Sequence, residues 1–251
     1  MTSSLRLSLL LSIVCIAAAT AAAQSANWSY TGKTGPMAWS RLDPAYAACA
    51  SGHEQSPIDI RKAHLDTSLA PIEFHYIAGP VVLENNGRTI VAHVDPGSYI
   101  VIGGVRYNLV EYQFRHPSEE PVKAKLTDMS VQLLHKSADG KMVVLAVRLV
   151  ENQDAPNAVL AALVDRLPRA AGQTAKVDDM VNTGGLLPSD RGYWTYMGSL
   201  TTPPCTEGVR WFVFEQPVTL SRTQLRLFTS ILGVNSRPMQ DAHGRTIEAN
   251  E

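Results

Sequence analysis

The sequence predicts a mostly β fold in a single domain, with helices at its periphery. Three observations carry this expectation. Short apolar or alternating segments recur along the chain, separated by Gly, Pro, Asn and Asp, as strands and their turns require. Two segments carry apolar residues at helical spacing. No internal repeat or low-complexity linker divides the 251 residues, a length that suits one domain.

The elements follow in chain order. Met1 to Arg6 carries one positive charge, Leu7 to Ala19 is nearly all apolar, and Ala21-Ala22-Ala23 supplies small residues for a peptidase. Residues 1–23 are therefore expected to be a secretory signal peptide, and 24–251 the folded domain. An uncleaved anchor is the competing reading, but the apolar run is shorter than the ~20 residues that cross a bilayer. The clearest strands are Val81 to Leu83, Thr89 to Val94, Tyr99 to Ile102, Tyr107 to Arg115, Met129 to His135 and Met142 to Val150. From Leu109 to Arg115, odd and even positions are expected to face opposite sides of a sheet. A helix is expected over Asn157 to Leu167, with Leu160, Leu163, Val164 and Leu167 on one face. A second is expected over Ser221 to Leu232, where Ser221 and Gln224 have capping-box spacing.

Cleavage removes Arg6 and no acid, leaving 21 basic and 23 acidic residues and a net charge of −2. No basic run stands out, so nucleic acid is not an expected partner. No second long apolar stretch follows, so the mature chain is expected to be soluble and free of the membrane, in the periplasm or secreted. Cys49 and Cys205 remain after cleavage. In an oxidising compartment such a pair is most simply a disulfide. A zinc site built on two cysteines would compete, but no C-x-x-C spacing supports it.

Several motifs then occur in order: Trp28-Ser29-Tyr30, Gly35-Pro36 with Trp39, Gln55 to Ile60, Asn85-Asn86-Gly87, Tyr193 to Tyr196, Gly198 to Pro204, Trp211, and Asn235 to Gln240. In this order and over nearly the whole mature chain, the sequence resembles the α-carbonic anhydrases, and in particular the secreted bacterial type. The resemblance implies a large, twisted, mainly antiparallel sheet with a conical cavity that ends at a zinc ion. It also supports the Cys49–Cys205 disulfide. In that family two histidines at i and i+2 on one strand, and a third on its neighbour, hold zinc. The metal lowers the pKa of bound water to about 7 for attack on carbon dioxide.

Here Pro117-Ser118-Glu119 fixes the register, and the three ligand positions carry Gln113, Arg115 and Gln132. Ser130 stands for the acid that orients the third ligand, Glu111 for the glutamine that supports the first, and Arg88 for a proton-shuttling histidine. A glutamine amide is a poor zinc ligand, and arginine offers no lone pair. A guanidinium about 4 Å from a dication is repelled by roughly 8 kcal/mol at an effective dielectric near 20. His116 has the wrong strand parity to replace Arg115. His135 lies three residues from Gln132 and matches a buried structural histidine. His53, His64, His75, His93 and His243 lack ligand spacing. No metal and no other cofactor is therefore expected.

The resemblance also assigns the retained positions. Thr201 matches the threonine that orients metal-bound hydroxide, Glu119 its acid partner, and Tyr30 a member of the cavity's water network. Leu134, Val144, Leu200, Val209 and Trp211 match the apolar wall. All of these also suit a purely packing role. The leading expectation is a relative of the family's zinc-less members that acts as a binding or interaction module. The alternatives are an enzyme, hydrating carbon dioxide by a metal-free route or hydrolysing another substrate with Glu119 and Arg115, and a structural envelope protein. The cavity is expected either to close on an Arg115 salt bridge with Glu119 or Glu111, or to bind a small anion or a bicarbonate-like ligand. In the second case Arg115, Thr201, Gln113 and Gln132 would converge on the ligand, with Arg88 near the rim.

Overall fold

A strand whose residues are apolar in succession needs cover on both faces, and the run from Met142 to Val147 finds it at the middle of the sheet. The structure, a computed structural model, describes residues 27–251. The expected signal segment 1–23 lies outside the described residues.

Among the described residues, thirteen strands form one sheet. They are β1 His64–Leu65, β2 Glu73–His75, β3 Gly79–Asn85, β4 Ile90–Val94, β5 Tyr99–Ile102, β6 Val105–Arg115, β7 Met129–Ser137, β8 Met142–Glu151, β9 Thr174–Val181, β10 Tyr193–Ser199, β11 Glu207–Phe214, β12 Val218–Leu220 and β13 Glu248–Ala249. The main path runs β1-β13-β10-β11-β8-β7-β6-β4-β3-β9, with β12 beside β8 and β5 bridging β2 to β6. Most neighbours are antiparallel. The pairs β1·β13, β8·β11 and β8·β12 are parallel. The helices are short or peripheral: α1 Trp39–Leu42, α2 Ala48–Ser51, α3 Ala158–Val164 and α4 Arg222–Leu232.

The two expected helices form, and the second starts with the capping box that its spacing predicts. The Asn157 side chain accepts from Leu160 N, and the helix ends at Val164, short of Leu167. Ser221 and Gln224 form the reciprocal capping box that starts α4. These helices cover one face of the sheet. There Tyr112, Phe114, Val131, Leu133, Leu145 and Phe228 share the larger core. The opposite face carries a smaller cluster around Val144, Ala146, Val209, Trp211 and Val213.

One expectation fails inside β6. Leu109 and Glu111 are both odd-numbered, yet Leu109 joins the large core with Tyr112 and Phe114. The cause is a β-bulge. Leu109 pairs with His135, and the next pair is Glu111 with Leu134, so Val110 is the extra residue. A bulge reverses side-chain parity. Beyond it, Glu111, Gln113 and Arg115 face away from the large core.

The Cys49–Cys205 disulfide is formed, across 156 residues. It ties α2 to the turn that follows β10. The chain around it is also pinned by Gln55 Nε2 donating to the Cys205 carbonyl at 3.1 Å and Arg237 Nη2 to the Cys49 carbonyl at 3.0 Å.

Candidate functional site: a buried guanidinium among carboxylates

Strand alternation brings the site together. Gln113 and Arg115 lie two residues apart on one face of β6, and Gln113 pairs directly with Gln132 on β7. Glu119 reaches the same place from the loop after β6. That loop is held by Ser118 N donating to the Thr127 carbonyl and by Thr127 N donating to Ser118 Oγ. Thr201 comes from the turn that carries Cys205, where Cys205 N donates to the Thr202 carbonyl at 2.8 Å.

Arg115 is 2% exposed. Its Nε lies 3.3 Å from Oε2 of Glu119, and its Nη2 donates to Gln113 Oε1 at 2.9 Å. Its Nη1 is buried and has no hydrogen-bond partner among the described residues. Burial alone would push this guanidinium toward neutrality. Tyr30, Glu119 and Glu120 outweigh burial and hold its pKa above the ordinary arginine value. Glu119 is fully engaged. Its Oε1 accepts from Arg237 N at 2.6 Å, and its Oε2 accepts from Arg115 and, at 2.8 Å, from Gln132 Nε2.

Sequence reasoning missed Glu120. It is 1% exposed, accepts from Gln132 Nε2 at 2.8 Å, and accepts from Glu119 N at 3.1 Å. Burial, with the charge of Glu119 beside it, pushes its carboxyl up to about 6. Ser130 Oγ is buried without a hydrogen bond of good geometry among the described residues, yet it lies close enough to Glu120 to favour the charged form. Arg148, opposite Ser130 on β8, adds a positive field on that side. The Glu119-Glu120 doublet and a lone arginine within the apolar run of β8 were the available signals.

Gln113, Arg115, Gln132, Thr201 and Thr202 line the polar side of a pocket of about 40 Å³. Leu134, Val144, Leu200 and Trp211 line its apolar side. Val209 is buried beside this wall in the smaller cluster but does not line the pocket.

Several expectations change. Glu111 does not pair with Arg115. It accepts from Gln113 Nε2 at 2.5 Å, because the amide stands between the two charges. The amides of Gln113 and Gln132 are consequently not free donors in the pocket, since acids take both. None of the hydrogen bonds among the described residues joins Thr201 to Glu119. Arg88 lines a different surface pocket, its Nε donating to the Trp28 carbonyl at 3.0 Å and its guanidinium stacked 4.4 Å from the Trp28 ring. Tyr30 packs edge-on against Trp28 and Trp39. Burial pushes its hydroxyl up to about 12, and that hydroxyl is unpartnered among the described residues.

As a donor set for zinc, Gln113, Arg115 and Gln132 do not fit. One has no lone pair, and the other two amides are oriented by acids. The nearby histidines do not make up the difference. His135 is fully buried under the large core, with Nδ1 donating to the Leu133 carbonyl and Nε2 accepting from the Tyr76 hydroxyl at 2.8 Å. Burial pushes its pKa down to about 3, so it is a neutral core residue. His116 donates from Nδ1 to the Asp128 carbonyl. Among the described residues no group of three His, Cys, Asp or Glu is placed to hold a metal.

A family model described as eukaryotic-type carbonic anhydrase matches residues 34–251. A carbonic anhydrase of Klebsiella pneumoniae is 41% identical over 226 residues, covering 89% of this chain and 91% of that protein. The α-carbonic anhydrase of Thermovibrio ammonificans, solved with the inhibitor sulfanilamide, superposes with a TM-score of 0.86 at 36% identity, over 90% of this chain and 100% of that one. Dioscorin complexed with ascorbate superposes with a TM-score of 0.83 at 28% identity, over 89% and 97%.

Proposed function

The chain belongs to the eukaryotic-type, or α, carbonic anhydrase family, and we propose that it is a metal-free binding member of that family, without zinc-dependent hydration of carbon dioxide. One observation carries the reading. The positions that match the metal ligands are held by a buried guanidinium tied to Glu119 and flanked by two amides committed to acids. A dication placed there would meet a fixed positive charge and no imidazole. That electrostatic cost, roughly 8 kcal/mol at an effective dielectric near 20, is of the order of a whole zinc-binding free energy.

The rest of the proposal concerns compartment and ligand. Residues 1–23 act as a secretory signal, and 24–251 work in the periplasm or outside the cell. The Cys49–Cys205 bond supports this, because such bonds persist in oxidising compartments. The ligand is a small molecule, and neither nucleic acid nor membrane is a partner. Dioscorin, a neighbour in fold, is known in complex with ascorbate, so binding of a small organic molecule is compatible with this architecture.

The alternative is catalysis by a non-zinc route with Glu119 as base. It is the weaker reading, since three donors already occupy the two oxygens of Glu119. Metal analysis of purified protein together with a carbon dioxide hydration assay decides between them. The expected result is far less than one zinc per chain and no hydration above buffer. Stoichiometric zinc that survives dialysis, or hydration abolished by a chelator, would overturn the proposal.

A further inference from the structure

We propose that His53 and His243 form a two-imidazole surface site for one late first-row divalent cation, zinc above all. The two rings are exposed and stand edge to face, with centroids 5.2 Å apart. A metal–imidazole bond of about 2.0–2.1 Å puts each ring centroid roughly 3.2 Å from the ion. Two rings on a tetrahedral ion are then about 5.2 Å apart, and on a square-planar ion about 4.5 Å. The observed spacing is the tetrahedral one. Because both side chains are exposed, rotation about their side-chain bonds readily turns a ring nitrogen of each toward the shared point. Neither residue lines the pocket around Arg115, so the site is independent of the positions that match the family's metal ligands.

The backbone holds the two histidines together. His53 follows α2, and His243 lies between α4 and β13. Arg245 Nη2 donates at 2.8 Å to the Gln55 carbonyl, near His53, and at 2.8 Å to the Asp241 carbonyl, near His243. Gln240 N donates to the Pro57 carbonyl at 2.8 Å, a second tie between the same loops. His243 has φ 48°, in the left-handed region, and its N–H donates to Asp241 Oδ1 at 2.7 Å. Glu207 Oε1 fixes the His53 loop by accepting from Glu54 N at 2.6 Å and from Gln55 Nε2 at 3.0 Å. Local charge suits a dication. Glu54, Glu207 and Asp241 act here against the single guanidinium of Arg245. Burial alone would raise the Glu207 carboxyl, but hydrogen bonds from Gln55 and Glu54, with the charges of His53 and Arg245, hold it below its ordinary value. No third His, Cys, Asp or Glu completes the set among the described residues, so water takes the remaining positions on the ion. Two tethered imidazoles bind about 10²-fold more tightly than one. Without a third protein ligand, the metal exchanges and is removed by dialysis against a chelator.

Isothermal calorimetry of zinc chloride into the full mature chain, after chelation and dialysis, tests this, with cobalt(II) chloride as a probe of geometry. The expected result is one-to-one binding of zinc at micromolar concentration and the intense visible absorption of tetrahedral cobalt. His53→Ala and His243→Ala are each expected to weaken binding about 10²-fold, and the two together to abolish it. All three variants are expected to melt with the parent, since both side chains are exposed. His64→Ala, at an exposed histidine outside the pair, is expected to leave zinc binding unchanged. No saturable heat below millimolar zinc, the weak spectrum of octahedral cobalt, or binding unchanged in either alanine variant of the pair would each overturn the site. The metal-free reading of the Arg115 cavity fails separately, through zinc that survives dialysis and is kept by the variant lacking both histidines.

Discussion

Arg115 Nε sits 3.3 Å from Glu119 Oε2, with both side chains shut off from solvent. The two partners are unequally supported. Without Arg115, Glu119 keeps donors from Arg237 N and Gln132. Without the charge of Glu119, Arg115 keeps the Gln113 carbonyl as its hydrogen-bond acceptor, with Tyr30 and the field of Glu120 acting on it without a hydrogen bond among the described residues. Glu119→Gln is therefore expected to cost about 3–5 kcal/mol, the usual loss when a buried pair is broken. Arg115→Met is expected to cost clearly less. Urea denaturation of both variants checks the order, and equal losses would refute the asymmetry.

Restoring the metal is a second test. Gln113→His, Arg115→His and Gln132→His together are expected to bring back zinc near one per chain, since Glu111 and Glu119 already stand where they can orient imidazoles at 113 and 132. Ser130→Glu is expected to tighten the metal further. Hydration activity should return only weakly, because Arg88 is bound to Trp28 and stays protonated. A folded triple variant that refuses zinc would show that the cavity walls, and not only the ligands, have changed.

Glu120 predicts a pH dependence. Its carboxyl titrates near 6 in the fold, above the ordinary value of 4.5, so the native state holds this proton longer than the unfolded chain does. Stability from this group is greatest below about pH 4.5 and falls as pH rises through 6, by about 2 kcal/mol in all. Denaturation midpoints compared between the parent and Glu120→Gln at several pH values between 4 and 7 are expected to show that slope only in the parent. Parallel slopes would assign the titration elsewhere.

Removing the disulfide is the fourth test. Cys49→Ser with Cys205→Ser opens a closure of 156 residues, for which chain entropy gives on the order of 3–5 kcal/mol. The melting temperature should drop while the far-ultraviolet circular dichroism spectrum is unchanged. Two free thiols in unreduced protein would contradict the premise.

Two-residue alternation made it legible that Gln113 and Arg115 share a face, and the family resemblance, with its Pro117-Ser118-Glu119 register, is what placed Gln132 beside them. The cap of α4 was legible because Ser221 and Gln224 act within three residues of each other. Other features depend on contacts that no local pattern encodes. Nothing in the composition around Val110 announces an extra residue, since its effect appears only in the pairing of β6 with β7. Parity correctly placed Glu111 on the face of Arg115, but the intervening Gln113 amide took its carboxylate. Glu120 follows Glu119 in a loop and carries no motif that singles it out. Its burial comes from Gln132 and the neighbouring strands, which is a property of the packed sheet and not of the segment.

The bulge at Val110 also sets how this site can vary. It works like a frame shift within one strand: positions before it are read in one phase and positions after it in the other. Sliding the segment on either side of it by one residue against β7 is costly. Before the bulge, such a slip takes Leu109 out of the core; after it, Tyr112 and Phe114 swing into the cavity while Glu111, Gln113 and Arg115 are driven among apolar side chains beneath α4. Both outcomes strand charge or waste core. Sliding the strand is thus closed as a route of change, and exchange of one side chain for another remains open. A site with this construction can lose its chemistry position by position and still keep its address.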